Sequence, residues 1–219
     1  MIVKADLHIH TTYSDGRPSP SEVVLYAVYK NLHVISITDH DTFAGSIIAK
    51  RYAEKLSSQV LVIPGIEVRT DHGDILVYCS NEVNLPRVLD KLIEKAHAEN
   101  CLVVPAHPFD ITRLGIGDVI FDYKEWDAIE VWNASSTKGA NYRAIEAAKV
   151  LGKPGLANSD AHILDELGSA FTIIEVDEVD LENVLNAVRK GRVRPVFGAR
   201  PFRVLLRRVA WSIEKLVRR

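Results

Sequence analysis

The stretch Ala5-Asp6-Leu7-His8-Ile9-His10-Thr11-Thr12-Tyr13-Ser14-Asp15-Gly16, close to the N-terminus, sets the question for the rest of the chain. It follows the apolar pair Ile2-Val3 and reads as the end of a first β-strand running into a loop. Side chains alternate across an extended segment, so His8 and His10 point the same way. Two imidazoles on one face, with the carboxylate of Asp15 in the following loop, are the start of a metal site. A His-x-His pair does not complete a coordination sphere, so further ligands must come from elsewhere.

Outward from this stretch, short apolar runs alternate with amphipathic segments. Ser19-Pro20-Ser21-Glu22 opens a helix to about Asn31, with Ser19 as cap, Pro20 at the first helical position and Glu22 completing a capping box. His33–Ile37 reads as a second strand ending in Thr38-Asp39-His40-Asp41, followed by a helix from about Thr42 to Ser57. Val60–Val68 is a strand broken at Pro64-Gly65, and Asp74–Tyr78 a neighbouring one. Helix 86–100 leads to Leu102–Ala106, then His107-Pro108. The glycine-bearing segment 108–126 reads as a lid or binding loop. Strand Ala128–Trp132 ends at Asn133; a helix from about Asn141 to Leu151 and strand Pro154–Ala157 lead to Asn158-Ser159-Asp160-Ala161-His162. Strand 171–176, a helix at about 180–190 and strand 193–197 follow. This alternation predicts a parallel sheet covered by helices, as an open doubly wound sheet or a barrel.

The 219 residues suit one domain, with 47% hydrophobic and 26% charged residues. No apolar run approaches a membrane span, and Asp6 and His8 interrupt any signal-like segment. Cys79 and Cys101 form no C-x-x-C, so neither a disulfide framework nor a thiolate zinc site is expected, and a reduced, cytoplasmic protein is the natural reading. The net charge of −2 hides an asymmetry: residues 200–219 carry seven bases and one acid, leaving residues 1–199 at −8. An acidic body suits bound cations.

The polar residues fall at one kind of place. His8 and His10 end the first strand, His40 the second, and Glu67 lies near the end of the third. His107 follows a fourth, and Asp160 with His162 a later one. In a parallel α/β architecture the C-terminal strand ends share one face, so these residues and Asp15 converge beside the opening pair. Imidazole and carboxylate donors of this kind suit Zn, Mn or Fe. His33, at a strand start, and His97, inside a helix, receive no role.

These motifs, Asp6-Leu7-His8-Ile9-His10-Thr11 with Ser14-Asp15-Gly16, Thr38-Asp39-His40, Gly65-Ile66-Glu67, Ala106-His107-Pro108 and Asn158-Ser159-Asp160-Ala161-His162, resemble in order those of the PHP (polymerase and histidinol phosphatase) family. The resemblance spans residues 1 to about 200. It implies a distorted (β/α)7 TIM-like barrel with two or three divalent ions at the strand C-terminal face, and phosphoesterase activity. On matching positions, His8, His10, Glu67 and Asp160 would hold one ion. Glu67 would bridge to a second, also held by His107, and Asp15, His40 and His162 would hold a third. Asp39 would orient an imidazole. The family's further histidine ligand is replaced here by Asp74 in Gly73-Asp74-Ile75; His72 could substitute, Asp74 could ligate, or the second site is weak.

The expected reaction is hydrolysis of a phosphate monoester, of a small molecule or a nucleotide, by a metal-bound hydroxide. Asp15, His40, Glu67, His107, Asp160 and His162 form the catalytic group. Arg17, Arg69 and Arg113 adjoin site segments as phosphate-clamp candidates. A 5′–3′ exonuclease is the alternative within the family, and a non-catalytic partner-binding domain the alternative outside it. Residues 200–219 form a basic amphipathic helix apart from the 1–199 domain. Phe202, Leu205, Leu206, Val209, Ile213 and Leu216 are on one side and Arg203, Arg207, Lys215 and Arg218 opposite. Packing of the apolar side on the body is the first expectation; nucleic acid, an anionic membrane or a partner remains open for Trp211 and the positive charge.

Overall fold

The computed structural model describes residues 1–56 and 59–217, with side chains through Glu214. In chain order the elements are β1 (Ile2–Ile9), α1 (Pro20–Tyr29), β2 (Val34–Ile37), α2 (Ala44–Lys55), β3 (Leu61–Val62), β4 (Gly65–Arg69), β5 (Asp74–Tyr78) and α3 (Leu89–Ala98). They continue with β6 (Leu102–Pro105), β7 (Ile129–Asn133), α4 (Lys138–Leu151), β8 (Gly155–Asn158), β9 (Phe171–Glu175), α5 (Leu181–Arg189), β10 (Val193–Val196) and α6 (Phe202–Val217). Local chemistry sets several of these starts. Ser19 and Glu22 close the expected capping box. Thr137 accepts from the Ala140 N–H and starts α4 three residues before Asn141. The expected end of α2 at Ser57 lies outside the described residues.

The expectation of a parallel sheet holds only in part. β1 pairs in parallel with β2, β2 with β3, and β7 with β8. β4, β5 and β6 form an antiparallel sheet, and β9 runs antiparallel to both β1 and β10. The strands make three separate hydrogen-bonded sheets, with no closed barrel among the described residues. The cause is the connection: β4 and β5 are joined by the tight Thr70–Gly73 turn, where Gly73 has φ +146, instead of by a crossover helix.

Apolar strand faces still bury hydrophobic clusters, as in that of Val3, Leu7, Val34, Leu76, Val104 and Leu156 against Leu185 of α5. Antiparallel pairing also explains the cysteines. Tyr78 faces Leu102 across β5 and β6, which brings the flanking Cys79 and Cys101 to a Cα separation of 4.3 Å, and they form a disulfide. The expectation of unpaired cysteines is corrected, and the cysteine pattern no longer argues for a reducing compartment. No described helix is long and apolar enough to cross a membrane.

α6 packs with the opposite face to the one its pattern suggests. Phe202, Leu205, Leu206, Val209 and Ile213 are exposed, whereas Trp211 is only 9% exposed and Arg207 pairs with Asp165. The indole N–H can hydrogen-bond only if it meets an acceptor, and it donates to the Asp15 carbonyl at 3.3 Å. Arg218 and the side chains of Lys215 and Leu216 lie outside the described residues.

Candidate metal centre

The cluster forms where several chain segments meet. Residue pairings outside the sheets stitch them together: Ile9 bridges to Ala161, and His40 to Glu67. Asp74 joins from the start of β5, which lies at the site because β5 runs antiparallel to β4. His107 and Asp160 have φ of +30 and +52, sparsely populated backbone for non-glycine residues and a signature of functional sites.

At the centre is Glu67, fully buried. Its Oε1 lies 3.1 Å from His107 Nε2. Its Oε2 lies 3.2 Å from His10 Nε2, 3.4 Å from His8 Nε2 and 3.2 Å from His40 Nδ1. Asp160 Oδ1 is 3.4 Å from His10 Nε2 and 3.7 Å from His8 Nε2, while its Oδ2 accepts from Arg113 and from Asn133 Nδ2. Asp15 Oδ1 lies 3.1 Å from His162 Nε2 and 3.9 Å from His40 Nε2. Four overlapping triads have ligand atoms within 4.8 Å of one another: His8/Glu67/His107, His8/His10/Asp160, His10/His40/Glu67 and His10/Asp15/His162.

The donor chemistry fits cations. Glu130 can only accept, so His8 donates from Nδ1 at 2.9 Å and its Nε2 lone pair faces the centre. There it meets His10 Nε2 at 3.1 Å. The backbone carbonyl of Asp160 likewise accepts from His162 Nδ1 at 3.0 Å, which leaves the Nε2 lone pair facing the Asp15 carboxylate. Glu67 Oε2, Asp160 Oδ1 and His40 Nδ1 are buried with no hydrogen bond. Lone pairs aimed at lone pairs in a buried site call for positive charge between them.

The protonation equilibria express the same need. Burial disfavours a charged His8, but Glu130, Glu67 and Asp160 more than reverse this and hold its pKa well above the ordinary value. Burial likewise opposes protonation of His10, yet the Asp160 and Glu67 carboxylates carry it to about 10. Burial and His10 hold His162 down at about 4 against the pull of Asp15 and Asp160. Burial raises Glu67, but His8, His10 and His107 take it well below the carboxylate range. Asp160 ends low because Arg113 and His8 outweigh its burial. Protons on histidines take the place that a divalent ion would fill.

The structure thus brings together His8, His10, Asp15, His40, Glu67, His107, Asp160 and His162. The two remaining candidates are placed differently. Asp74 lines the cavity, whereas His72 is exposed in the β4–β5 turn, turned away because the strand alternation that would have kept it alongside Asp74 ends at Gly73. Asp39 makes no direct hydrogen bond to an imidazole among the described residues: it accepts from Thr11 N and Oγ1 and from Ser14 Oγ at 2.6–2.7 Å, fixing the loop that carries Asp15, and through that same Ser14 Oγ, 3.3 Å from His10 Nδ1, it reaches the His10 ring. Glu130 orients an imidazole directly, that of His8. It is a buried charge inside an otherwise apolar strand, and that incongruity was its sequence signal. The cavity of about 420 Å³ over the cluster is also lined by Arg69, Arg113, Thr112 and Arg208. Arg17 is not part of it and faces α6. Arg208 had no sequence signal, since nothing in an amphipathic pattern tells which arginine turns inward.

Comparison with known proteins agrees with this arrangement. The PHP domain model matches residues 6–117, and the PHP-associated model matches residues 138–193. The chain is 33% identical over 150 residues to the uncharacterized protein MJ1587 of Methanocaldococcus jannaschii, covering 63% of this chain and 85% of that one. It is 32% identical over 98 residues to the 5′-3′ exoribonuclease Rnm of Escherichia coli, covering 43% of this chain and 33% of that protein. Among solved structures, a two-domain protein from Bacteroides vulgatus containing a predicted PHP-like metal-dependent phosphoesterase superposes with a TM-score of 0.74 at 20% identity, over 90% of this chain and 65% of that one. With its ordered ligand motifs, its cavity and a family match over more than half its length, the chain belongs to the PHP family.

Proposed function

We propose that this protein is a divalent-metal-dependent phosphoesterase that hydrolyses a phosphate monoester, of a small molecule or a nucleotide. The observation that carries the reading is the convergence of five histidines and three carboxylates beneath a cavity that also holds three arginines. The candidate ligands suit two or three ions of Zn, Mn or Fe; the family resemblance would put His8, His10, Glu67 and Asp160 at one position, Glu67 and His107 at a second and Asp15, His40 and His162 at a third, with Asp74 on the wall of the same cavity. Such ions, when bound, lower the pKa of water and neutralise charge developing on a phosphoryl group.

The chain's own residues prepare that chemistry. Glu130 sets the His8 tautomer, and Arg113 holds Asp160 ionised with one oxygen free for the cluster. Glu67 presents its two oxygens to different histidines and so suits a bridging role. Arg69 and Arg113, at the cavity wall, are placed to orient phosphate oxygens.

A 5′–3′ exonuclease acting on oligonucleotide ends is the second reading, favoured by the likeness to Rnm. The test is a screen on protein with its metals quantified, using an aryl phosphate, mononucleotides and a 5′-phosphorylated oligonucleotide. Turnover is expected, with His8→Ala and Asp160→Ala losing metal and activity together. Faster cleavage of the oligonucleotide than of any small ester selects the exonuclease. A fully metallated protein inert on every substrate sinks both and leaves a non-catalytic domain.

A further inference from the structure

Three guanidinium groups line the cavity, and their situations differ. Arg69 Nε lies 3.3 Å from Asp74 Oδ1, and Arg113 donates to Asp160. Arg208 makes no such match: its Nη1 is buried and has no hydrogen-bond partner among the described residues. Of the carboxylates whose field it feels, Glu166 is paired with Arg200 at 2.9 Å, Asp160 with Arg113, and Asp15 lies 3.1 Å from His162 Nε2. A buried, charged N–H without an acceptor is costly, so its place in the site makes sense if the acceptor arrives with the ligand.

The backbone around Arg208 is held in place. Trp211 donates to the Asp15 carbonyl, Arg207 pairs with Asp165, and Glu214 lies 3.6 Å from Arg17. The Arg17 guanidinium sits 5.8 Å from the Trp211 ring centroid. Positions 207, 211 and 214 share one helix stripe, with 208 at its edge three residues before 211, so the anchors flank Arg208 on both sides along the chain. These contacts explain why α6 turns its apolar stripe outward: its inward face is chosen by the polar contacts that bring Arg208 to the cavity.

We propose that Arg208 is a substrate-binding residue, delivered by α6 over the metal-ligand cluster to bind the non-bridging oxygens of a phosphoryl group. A planar guanidinium fork matches a phosphate with two parallel N–H donors. The proposal rests on the phosphoesterase reading above, but it assigns anion recognition to a helix beyond both family-matched segments, which end at residue 193.

The test uses full-length, manganese-loaded protein, its Arg208→Gln and Arg208→Ala variants, and inorganic phosphate as the calorimetric probe. Both variants are expected to keep the wild-type metal content and melting temperature while phosphate Kd and the KM for an aryl phosphate rise about ten- to hundred-fold. Arg208→Lys should recover part of the loss, since it keeps the charge but not the fork. Unchanged phosphate affinity in the variants, absence of phosphate binding by the wild type, or loss of metal together with phosphate overturns the proposal. Arg208-dependent phosphate binding in a protein that cleaves no ester would sink the phosphoesterase reading and leave this one standing. Ester turnover with Arg208-independent phosphate binding does the reverse.

Discussion

Glu130 accepts four hydrogen bonds, from His8 Nδ1, Asn158 Nδ2, the His107 backbone N–H and Asn133 Nδ2. The two candidate ligands among those donors, His8 and His107, are oriented by it, and its charge strengthens the His8 lone pair. Glu130→Gln turns an amide N–H₂ towards groups that are themselves donors. Metal affinity is expected to fall about 10–100-fold with the fold intact, measured by chelator competition. The histidines also set a pH dependence. In the metal-free protein His10 holds its proton up to about pH 10. Its protonation therefore contributes stability below its ordinary value of 6.5 that is lost as pH rises through 10. Metal must displace that proton, so apparent affinity should rise with pH, about ten-fold per unit for each proton released. Calorimetry in buffers of different ionisation enthalpy would reveal the release; its absence at pH 7 would contradict the raised pKa.

At the scale of elements, α2 and the loop after β1 are fitted to one another. A Cβ on Gly45 would lie 2.0 Å from Asp39 Oδ2 and 2.9 Å from Thr11 Oγ1. Alanine normally favours a helix, but Gly45→Ala should destabilise the protein by about 1–3 kcal/mol and loosen the Asp15 loop. A urea titration showing stabilisation instead would mean that the loop gives way freely. The Cys79–Cys101 bridge spans a separation of 22 residues and ties β5, which carries Asp74, to β6, which precedes His107. In the loop-entropy model such a link contributes about 3 kcal/mol. Reduction should lower the melting temperature measurably while the ligand set stays assembled, because strand pairing is retained. The capping box of α1 was legible from single residues, since a cap is a local interaction, whereas the Thr137 cap that starts α4 three residues before Asn141 and the Asp180 cap of α5 were not read from the sequence.

For the whole molecule, metal binding and folding should be coupled, because the ligands come from segments between His8 and His162 and meet only when the chain is folded. An ion at one hundred times its Kd adds about 2.7 kcal/mol, or roughly 5–10 °C for a domain of this size. A melting curve that chelator does not shift would separate the cluster from metal binding. The acidic body and basic tail meet at the same place: α6 brings Arg208 to a cavity whose lining includes the acids Asp15, Glu67, Asp74 and Asp160. This balances an anionic cluster against an anionic substrate.

The sequence alone determined which residue types sit at the strand ends. That much suffices for the eight converging candidate ligands and the family, because strand periodicity and short motifs are properties of neighbouring residues. Tertiary structure decided what depends on which segments meet. The antiparallel β4–β5–β6 sheet put Asp74 in the cavity, turned His72 out and paired two cysteines that no spacing rule joins. Burial beside His8 gave Glu130 its role. The same pattern of residues in α6 could have docked by either face. An amphipathic helix shows that it has two faces, and only the acceptor for the Trp211 N–H and the acid for Arg207 selected the one that turns inward.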